Sequence, residues 1–117
     1  MSISVYGIKN CNTMKKAFDW LAAKGLSYDF HDYKKAGISE GKIAEWMEQV
    51  EPAKLVNNRG TTFRKFSDEM KANFKDAAVA KEMMLENQSV IKRPIIEKDG
   101  KVVVMGFDEE EYQKVFA

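Results

Sequence analysis

Hydrophobic and polar positions alternate with two different periods along this chain, and each change of period marks a new element. Ile3, Val5 and Tyr6 predict a short apolar strand, whereas from Asn12 the apolar residues recur at helical spacing until Gly25. A two-residue alternation returns over residues 26–33 and predicts a second, half-buried strand. This strand–helix–strand order predicts a right-handed βαβ unit with parallel strands.

Helical spacing dominates the middle of the chain. Pro52 closes the first predicted helix there, and the turn-rich residues 55–63 predict a loop that carries Arg59. Further helical patterns follow, and linker composition is absent on either side. We therefore predict one domain over residues 1–117, with a helical insertion at 39–86 packed on it.

The last part of the chain predicts two antiparallel strands and a helix. β structure is predicted to resume over residues 90–96, with Pro94 at the strand entrance because proline cannot donate to a ladder. Asp99-Gly100 lies between apolar runs and predicts a type I′ hairpin. Asp108 is a predicted N-cap, and glutamates fill the following turn. The whole pattern predicts an α/β fold, βαβ then ββα around a mixed sheet.

Cys11 is the only cysteine, and it falls where the first strand turns into the first helix. The unpaired N–H groups and the dipole of a helix N-terminus stabilise an anion, which lowers a thiol pKa from its free value of about 8.5. Lys9, Lys15 and Lys16 add positive charge nearby. The pattern favours a reactive thiolate, and the alternative is a small buried hydrophobic residue.

Composition narrows the class of protein. The chain has 117 residues, 44% hydrophobic and 32% charged, as in a globular domain. A net charge of +1 gives no support for a nucleic-acid or anionic-membrane partner. One cysteine and one histidine, His31, exclude an internal disulfide and a nitrogen–sulfur metal cluster. Without a signal peptide or long apolar run, we expect a cytoplasmic monomer with no metal.

Arginine is scarce, and this makes each arginine informative. Of the 19 basic residues only three are arginine, namely Arg59, Arg64 and Arg93. Because a guanidinium is a planar, bidentate donor, Arg59 and Arg93 are candidates for binding a carboxylate, a phosphate or a similar oxyanion. Arg64 lies beside Lys65 and is interpreted as an ordinary surface residue.

Four motifs, in this order, resemble the ArsC/Spx/YffB family of arsenate-reductase-like proteins over nearly the whole chain. They are Tyr6-Gly7 followed by Cys11, Leu55-Val56-Asn57 leading to Arg59, Lys92-Arg93-Pro94-Ile95-Ile96, and Gly106-Phe107 before the acidic helix start. The resemblance implies a thioredoxin-like fold with helices inserted at 39–86. It also implies that Pro94 is cis and lies against Cys11.

Departures from the family patterns favour the YffB branch. Spx-like regulators, which bind RNA polymerase, carry a Cys-x-x-Cys switch, but here the second position is Met14. Arsenate reductases of this type hold the oxyanion with three arginines. Arg59 and Arg93 match two of them, and no arginine occurs near Gly106-Phe107. A lost charged hydrogen bond costs about 1.5–3 kcal/mol, which argues against arsenate as substrate.

The YffB resemblance implies a glutathione-dependent monothiol reductase that acts through a mixed disulfide on Cys11. Glutathione is then the co-substrate, and the likeness to arsenate reductases adds glutaredoxin as a partner. Several residues would bind glutathione or an oxyanion: Lys9, Asn10, Asn12, Arg59, Arg93 and Pro94. Two alternatives stay open, an arsenate (oxyanion) reductase and a non-catalytic, Spx-like module that binds RNA polymerase.

Overall fold

A computed structural model describes residues 2–116 of the chain. The strands are β1 (Ile3–Gly7), β2 (Asp29–Asp32), β3 (Ile95–Lys98) and β4 (Lys101–Met105). The helices are α1 (Asn12–Ala23), α2 (Tyr33–Ala36), α3 (Glu40–Gln49), α4 (Pro52–Leu55), α5 (Thr61–Arg64), α6 (Asp68–Ala72), α7 (Ala77–Glu86) and α8 (Glu109–Phe116). The chain divides into two compact units: the first runs to Ala36 and resumes at Arg93, and the second is Gly37–Lys92.

The first unit contains a four-stranded mixed sheet in the order β2-β1-β3-β4. β1 is parallel to β2 and antiparallel to β3, and β3 is antiparallel to β4. Gly7 at the end of β1 pairs with Asp32 at the end of β2, and Tyr6 pairs with Ile95 at the start of β3. The ends of β1 and β2 and the beginning of β3 therefore meet at one edge of the sheet. This confirms the predicted βαβ…ββα order.

The core of the first unit fixes α1 on the sheet. Its buried residues, Met14, Ala17, Trp20 and Leu21, follow helical spacing. Burying a side chain such as leucine stabilises the fold by about 1.5–3 kcal/mol. The Trp20 ring meets Tyr112 of α8 edge-on, with ring centroids 5.3 Å apart. The beginning of α1 is therefore held in place by packing further along the helix.

The second unit contains α3 to α7 and a 3-10 turn, Gln88–Val90. The side chains of Ser39, Ser67 and Asp76 accept hydrogen bonds from backbone N–H groups at the beginnings of α3, α6 and α7. An isolated antiparallel bridge pairs Val56 with Ile91, which the helical pattern did not predict.

The second strand is shorter than predicted. It covers Asp29–Asp32, and Tyr33, which the alternation placed in the strand, begins α2 instead. The Asp32 carboxylate accepts hydrogen bonds from the N–H groups of Lys34 and Lys35, at 3.0 and 3.3 Å. This local hydrogen bonding competes with the strand ladder and turns the chain at Asp32.

The other predicted boundaries agree with the structure only in part. Pro52 follows the end of α3 but is also the first residue of α4, a position that proline favours. The third strand begins at Ile95 and not near residue 90, because residues 88–90 form the 3-10 turn.

At the predicted hairpin, Asp99 and Gly100 have φ values of 52° and 84°. Both are positive, as a type I′ turn requires.

Candidate functional site

Three segments of the first unit converge at the edge of the sheet where β1 and β2 end. Cys11 lies between β1 and α1, Tyr33 directly follows β2, and Arg93 precedes β3 by two residues. Because β1 is parallel to β2 and antiparallel to β3, all three residues belong to the same edge. In α/β sheets this edge, beyond the carboxyl ends of parallel strands, is where ligands bind.

Cys11 is the N-cap residue of α1, with extended backbone at φ −146° and ψ 135°. Its carbonyl accepts the first helical hydrogen bond, from the N–H of Lys15 at 3.0 Å. Its side chain does not form a standard cap hydrogen bond, but the N–H groups of Thr13 and Met14 are near enough to the sulfur to stabilise a negative charge on it. The side chain is half-buried, so it remains accessible to a small reactant.

The surroundings of Cys11 favour its thiolate form. Partial burial raises the pKa of the Cys11 thiol, but the N–H of Met14, the Arg93 side chain and the N–H of Thr13 outweigh it and lower that pKa below its ordinary value. Hydrogen bonds and positive charge directed at the ionised form have this effect. The helix N-terminus therefore contributes as predicted, and Arg93 contributes the charge that sequence reasoning assigned to Lys9.

Arg93 joins Cys11 to Tyr33. Its side chain hydrogen-bonds to the Cys11 sulfur and to the Tyr33 phenol oxygen. Burial lowers the pKa of the Arg93 guanidinium, but these two neighbours outweigh burial and raise it above its ordinary value. Arg93 therefore stays charged beside the thiol and the phenol.

Tyr33 is a member of the site that sequence reasoning missed. It is fully buried. Burial, with smaller contributions from Cys11 and Asp32, raises the pKa of its phenol to about 12 against the opposing effect of Arg93. The phenol is therefore neutral at physiological pH. The sequence held a signal for Tyr33. Asp32 is a capping residue at the end of β2, and β2 is parallel to β1, the strand before Cys11, so the residue after Asp32 lies at the same edge of the sheet as Cys11.

An open groove of about 570 Å³ lies over the thiol. Its lining residues are Lys9, Asn10, Cys11, Asn12, Lys15, Phe18 and Asp19. Three of the predicted binding residues, Lys9, Asn10 and Asn12, thus lie beside Cys11 and are exposed. A neighbouring depression shares Lys9 and Phe18 and adds Tyr28 and Phe30. Phe18 stacks on Tyr28, with ring centroids 5.3 Å apart. The groove therefore combines polar and cationic groups with an aromatic flank.

The Arg93–Pro94 peptide bond is cis, as the family resemblance implied. Pro94 is buried, and its carbonyl accepts a hydrogen bond from the N–H of Gly106 at 2.8 Å. This bond ties the loop after β4 to the residue that enters β3. A peptide that pairs beside Pro94 would have to share this carbonyl or use another backbone group.

Arg59 belongs to the second unit. It is exposed on the turn between α4 and α5, where its N–H donates to the Asn57 side chain at 3.2 Å. Its role in binding stays a prediction. Arg64 is also exposed and ends α5.

Within residues 2–116, no group of three or more histidine, cysteine or acidic side chains is arranged to hold a metal ion. Over the same residues no helix is long and apolar enough to cross a membrane.

The sequence matches the ArsC family over residues 6–115. It is 44% identical over 115 residues to an uncharacterised Haemophilus influenzae protein, covering 98% of this chain and 99% of the relative. A YffB protein of known structure is 41% identical, with a TM-score of 0.91 over 99% of this chain and 100% of its own. An arsenate reductase (ArsC) related protein from Brucella melitensis is 46% identical, with a TM-score of 0.80 over 99% of this chain and 95% of its own.

The chain belongs to the ArsC family. It has the thioredoxin-like fold of that family's solved structures, and it is similar to the YffB protein along its full length. The family is arsenate-reductase-like, so the comparisons support the broad class that the motifs around Cys11, Arg59 and Arg93 indicated.

Proposed function

We propose that this protein is a glutathione-dependent monothiol reductase with Cys11 as its nucleophile. One observation carries the proposal: the only thiol of the chain lies at the beginning of α1, with its pKa lowered by Arg93 and by the N–H groups of Met14 and Thr13. The thiolate is the attacking form in thiol–disulfide exchange, and a lowered pKa makes more of it available near neutral pH.

In the first step the Cys11 thiolate attacks the glutathione sulfur of a glutathionylated substrate. A new S–S bond joins Cys11 to glutathione while the substrate S–S bond breaks, and the substrate sulfur leaves as a thiolate that takes a proton from water. The substrate is reduced by two electrons, and Cys11 is held in a mixed disulfide. Half-burial of Cys11 leaves its sulfur accessible through the groove.

In the second step a free glutathione thiolate attacks the glutathione sulfur of the mixed disulfide. Glutathione disulfide is released, and Cys11 leaves as a thiolate. The chain has no second cysteine that could resolve the intermediate internally. The lowered pKa of Cys11 also favours this step, because a less basic thiolate is a better leaving group.

Glutathione carries two carboxylates, and the groove offers groups that fit them. Lys9 lines the groove as a cation, and Asn10 and Asn12 lie on either side of Cys11 as hydrogen-bonding groups. Arg93 is placed to stabilise the charge on sulfur. Arg59 would bind a glutathione carboxylate, as its match to the family motif suggests, and the backbone beside Pro94 would pair with the peptide.

Turnover of a glutathionylated peptide, with glutathione disulfide recycled by glutathione reductase, tests the proposal. We expect saturable turnover that requires glutathione and is lost in Cys11→Ser. Lys101→Gln is the matched surface control, since Lys101 is an exposed residue at the start of β4. Activity that persists in Cys11→Ser, or that does not depend on glutathione, contradicts the proposal.

Arsenate reduction is the second candidate, because the family is arsenate-reductase-like and a thiolate beside an arginine suits an oxyanion. The same assay with arsenate in place of the peptide separates the two. Turnover with arsenate but not with the peptide assigns the site to the oxyanion. The absence of an arginine at Gly106-Phe107 leads us to expect the peptide to be the better substrate.

A further inference from the structure

We infer that Tyr33 is a positioning residue for Cys11: its buried phenol oxygen holds the Arg93 guanidinium in the orientation in which Arg93 hydrogen-bonds to the Cys11 sulfur. This inference rests on the proposed role of Cys11 as the nucleophile. It adds a residue that none of the family motifs in the sequence contains.

The fold brings Tyr33 to the site independently of Cys11. Asp32 is the last residue of β2, and its side chain accepts hydrogen bonds from the N–H groups of Lys34 and Lys35, so the chain turns at Tyr33. Because Gly7 pairs with Asp32, the residue after each parallel strand begins at the same edge of the sheet. Tyr33 is thus fixed by the strand register and by the Asp32 cap.

The contacts of Tyr33 favour a positioning role over simple packing in the core. Tyr33 is fully buried, and its phenol oxygen is hydrogen-bonded to Arg93, which is also hydrogen-bonded to Cys11. Arginine has five N–H donors in a rigid fork, so one partner can orient the donors that face another. A neutral phenol orients the guanidinium without neutralising it, and this leaves the charge of Arg93 available to the thiolate.

Charged groups on several elements surround this cluster, and Lys34 and Lys35 line a neighbouring pocket with Lys9 and Asp32. Arg93, Cys11 and Asp32 act on the Tyr33 phenol, and Lys9, Lys15 and Asp19 line the groove over Cys11. The experiment tests how Tyr33 acts on Cys11 through Arg93, and Asp32 and the groove residues stay unchanged in every variant below. A shift in the pKa of Cys11 then reports the effect of Tyr33 that is transmitted through Arg93.

The test is the pH dependence of Cys11 alkylation by iodoacetamide in wild type and Tyr33→Phe. We expect the midpoint to rise by about half a pH unit in Tyr33→Phe, which reduces the thiolate fraction about threefold at low pH. Tyr112→Phe is the matched control. Tyr112 is also fully buried, and its phenol donates to the Gly106 carbonyl, so this variant is expected to keep the wild-type midpoint.

A double-mutant cycle separates positioning from a structural effect. If Tyr33 acts through Arg93, Tyr33→Phe shifts the midpoint in wild type but not in an Arg93→Gln background. An equal shift in both backgrounds, or no shift in either, overturns the inference. A wild-type midpoint at or above the ordinary thiol value would instead refute the proposed function, so the two failures are distinguishable.

The unmutated protein gives a second test that does not depend on the folding of any variant. With ¹³C-labelled tyrosine rings, the Tyr33 resonance should change as Cys11 ionises, because Cys11 and the Tyr33 phenol interact electrostatically. The Tyr112 resonance should stay constant over the same pH range. A Tyr33 resonance that does not respond to Cys11 ionisation overturns the inference.

Discussion

Replacing Arg93 by glutamine should raise the pKa of Cys11, because the Arg93 side chain lowers that pKa both as a hydrogen-bond donor and as a charge. Arg93→Gln removes a charged hydrogen bond to the sulfur, and such bonds contribute about 1.5–3 kcal/mol. One pKa unit corresponds to about 1.4 kcal/mol, so the full effect would be about 1–2 units. Because Cys11 is only half-buried, solvent screens part of this interaction, and we expect the lower end, about 1 unit.

The assay is the rate of iodoacetamide alkylation as a function of pH, which reports Cys11 alone because the chain has one cysteine. The readout is the midpoint of the profile and not the rate at one pH. A more basic thiolate is intrinsically more nucleophilic, so the plateau at high pH should rise slightly while the midpoint moves upward.

Arg64→Gln makes the same chemical change at an exposed arginine at the end of α5. Its midpoint should equal that of wild type. A wild-type midpoint in Arg93→Gln would refute the reasoning, because it would mean that Arg93 does not stabilise the thiolate. Equal shifts in Arg93→Gln and Arg64→Gln would point to net charge as the cause instead of the hydrogen bond.

Three further predictions concern stability. A Cβ at Gly7 would collide with the fully buried thioether of Met14, so Gly7→Ala should lower the free energy of unfolding by about 1–2 kcal/mol in urea titrations. Gly41 has room for a Cβ in α3, so Gly41→Ala should raise the free energy of unfolding by about 0.5 kcal/mol. Equal effects of the two substitutions would contradict this prediction. Asp76 accepts two backbone hydrogen bonds at the start of α7, so Asp76→Ala should cost about 1 kcal/mol and Asp76→Asn much less, and an equal cost would exclude capping as the reason. The folded-state pKa of Cys11 is lowered, so the unfolded state binds more protons between that pKa and about 8.5. The difference in free energy of unfolding between wild type and Cys11→Ser should therefore shift in favour of wild type as pH rises through this range. A difference that does not depend on pH would contradict the lowered pKa.

The architecture could be predicted from local patterns because its main signals act over short distances. Helical spacing after Asn12, the Asp99-Gly100 turn and the Asp108 cap each depend on neighbouring residues, and all three are present in the structure. Strand ends were harder to predict. The β2 boundary depends on the Asp32 side chain, which competes for the N–H groups of Lys34 and Lys35.

The chemistry of the site was only partly visible in the sequence. The position of Cys11 indicated an activated thiol because a helix N-terminus is a local feature. The source of the positive charge was not local. Lys9 is close in sequence, but Arg93, far along the chain, is the side chain that hydrogen-bonds to the thiol, because β3 lies beside β1. Tyr33 was missed for the same reason, since its contact with Arg93 depends on strand pairing.

The central claim, that Cys11 carries glutathione between substrate and co-substrate, is tested most directly by intact-protein mass spectrometry. The protein is mixed with a glutathionylated peptide in the absence of free glutathione, and free glutathione is then added. We predict one glutathione adduct on Cys11 in the first stage and its removal, with release of glutathione disulfide, in the second. If Cys11 stays unmodified while the peptide is reduced, or if the adduct persists when glutathione is added, the account is contradicted.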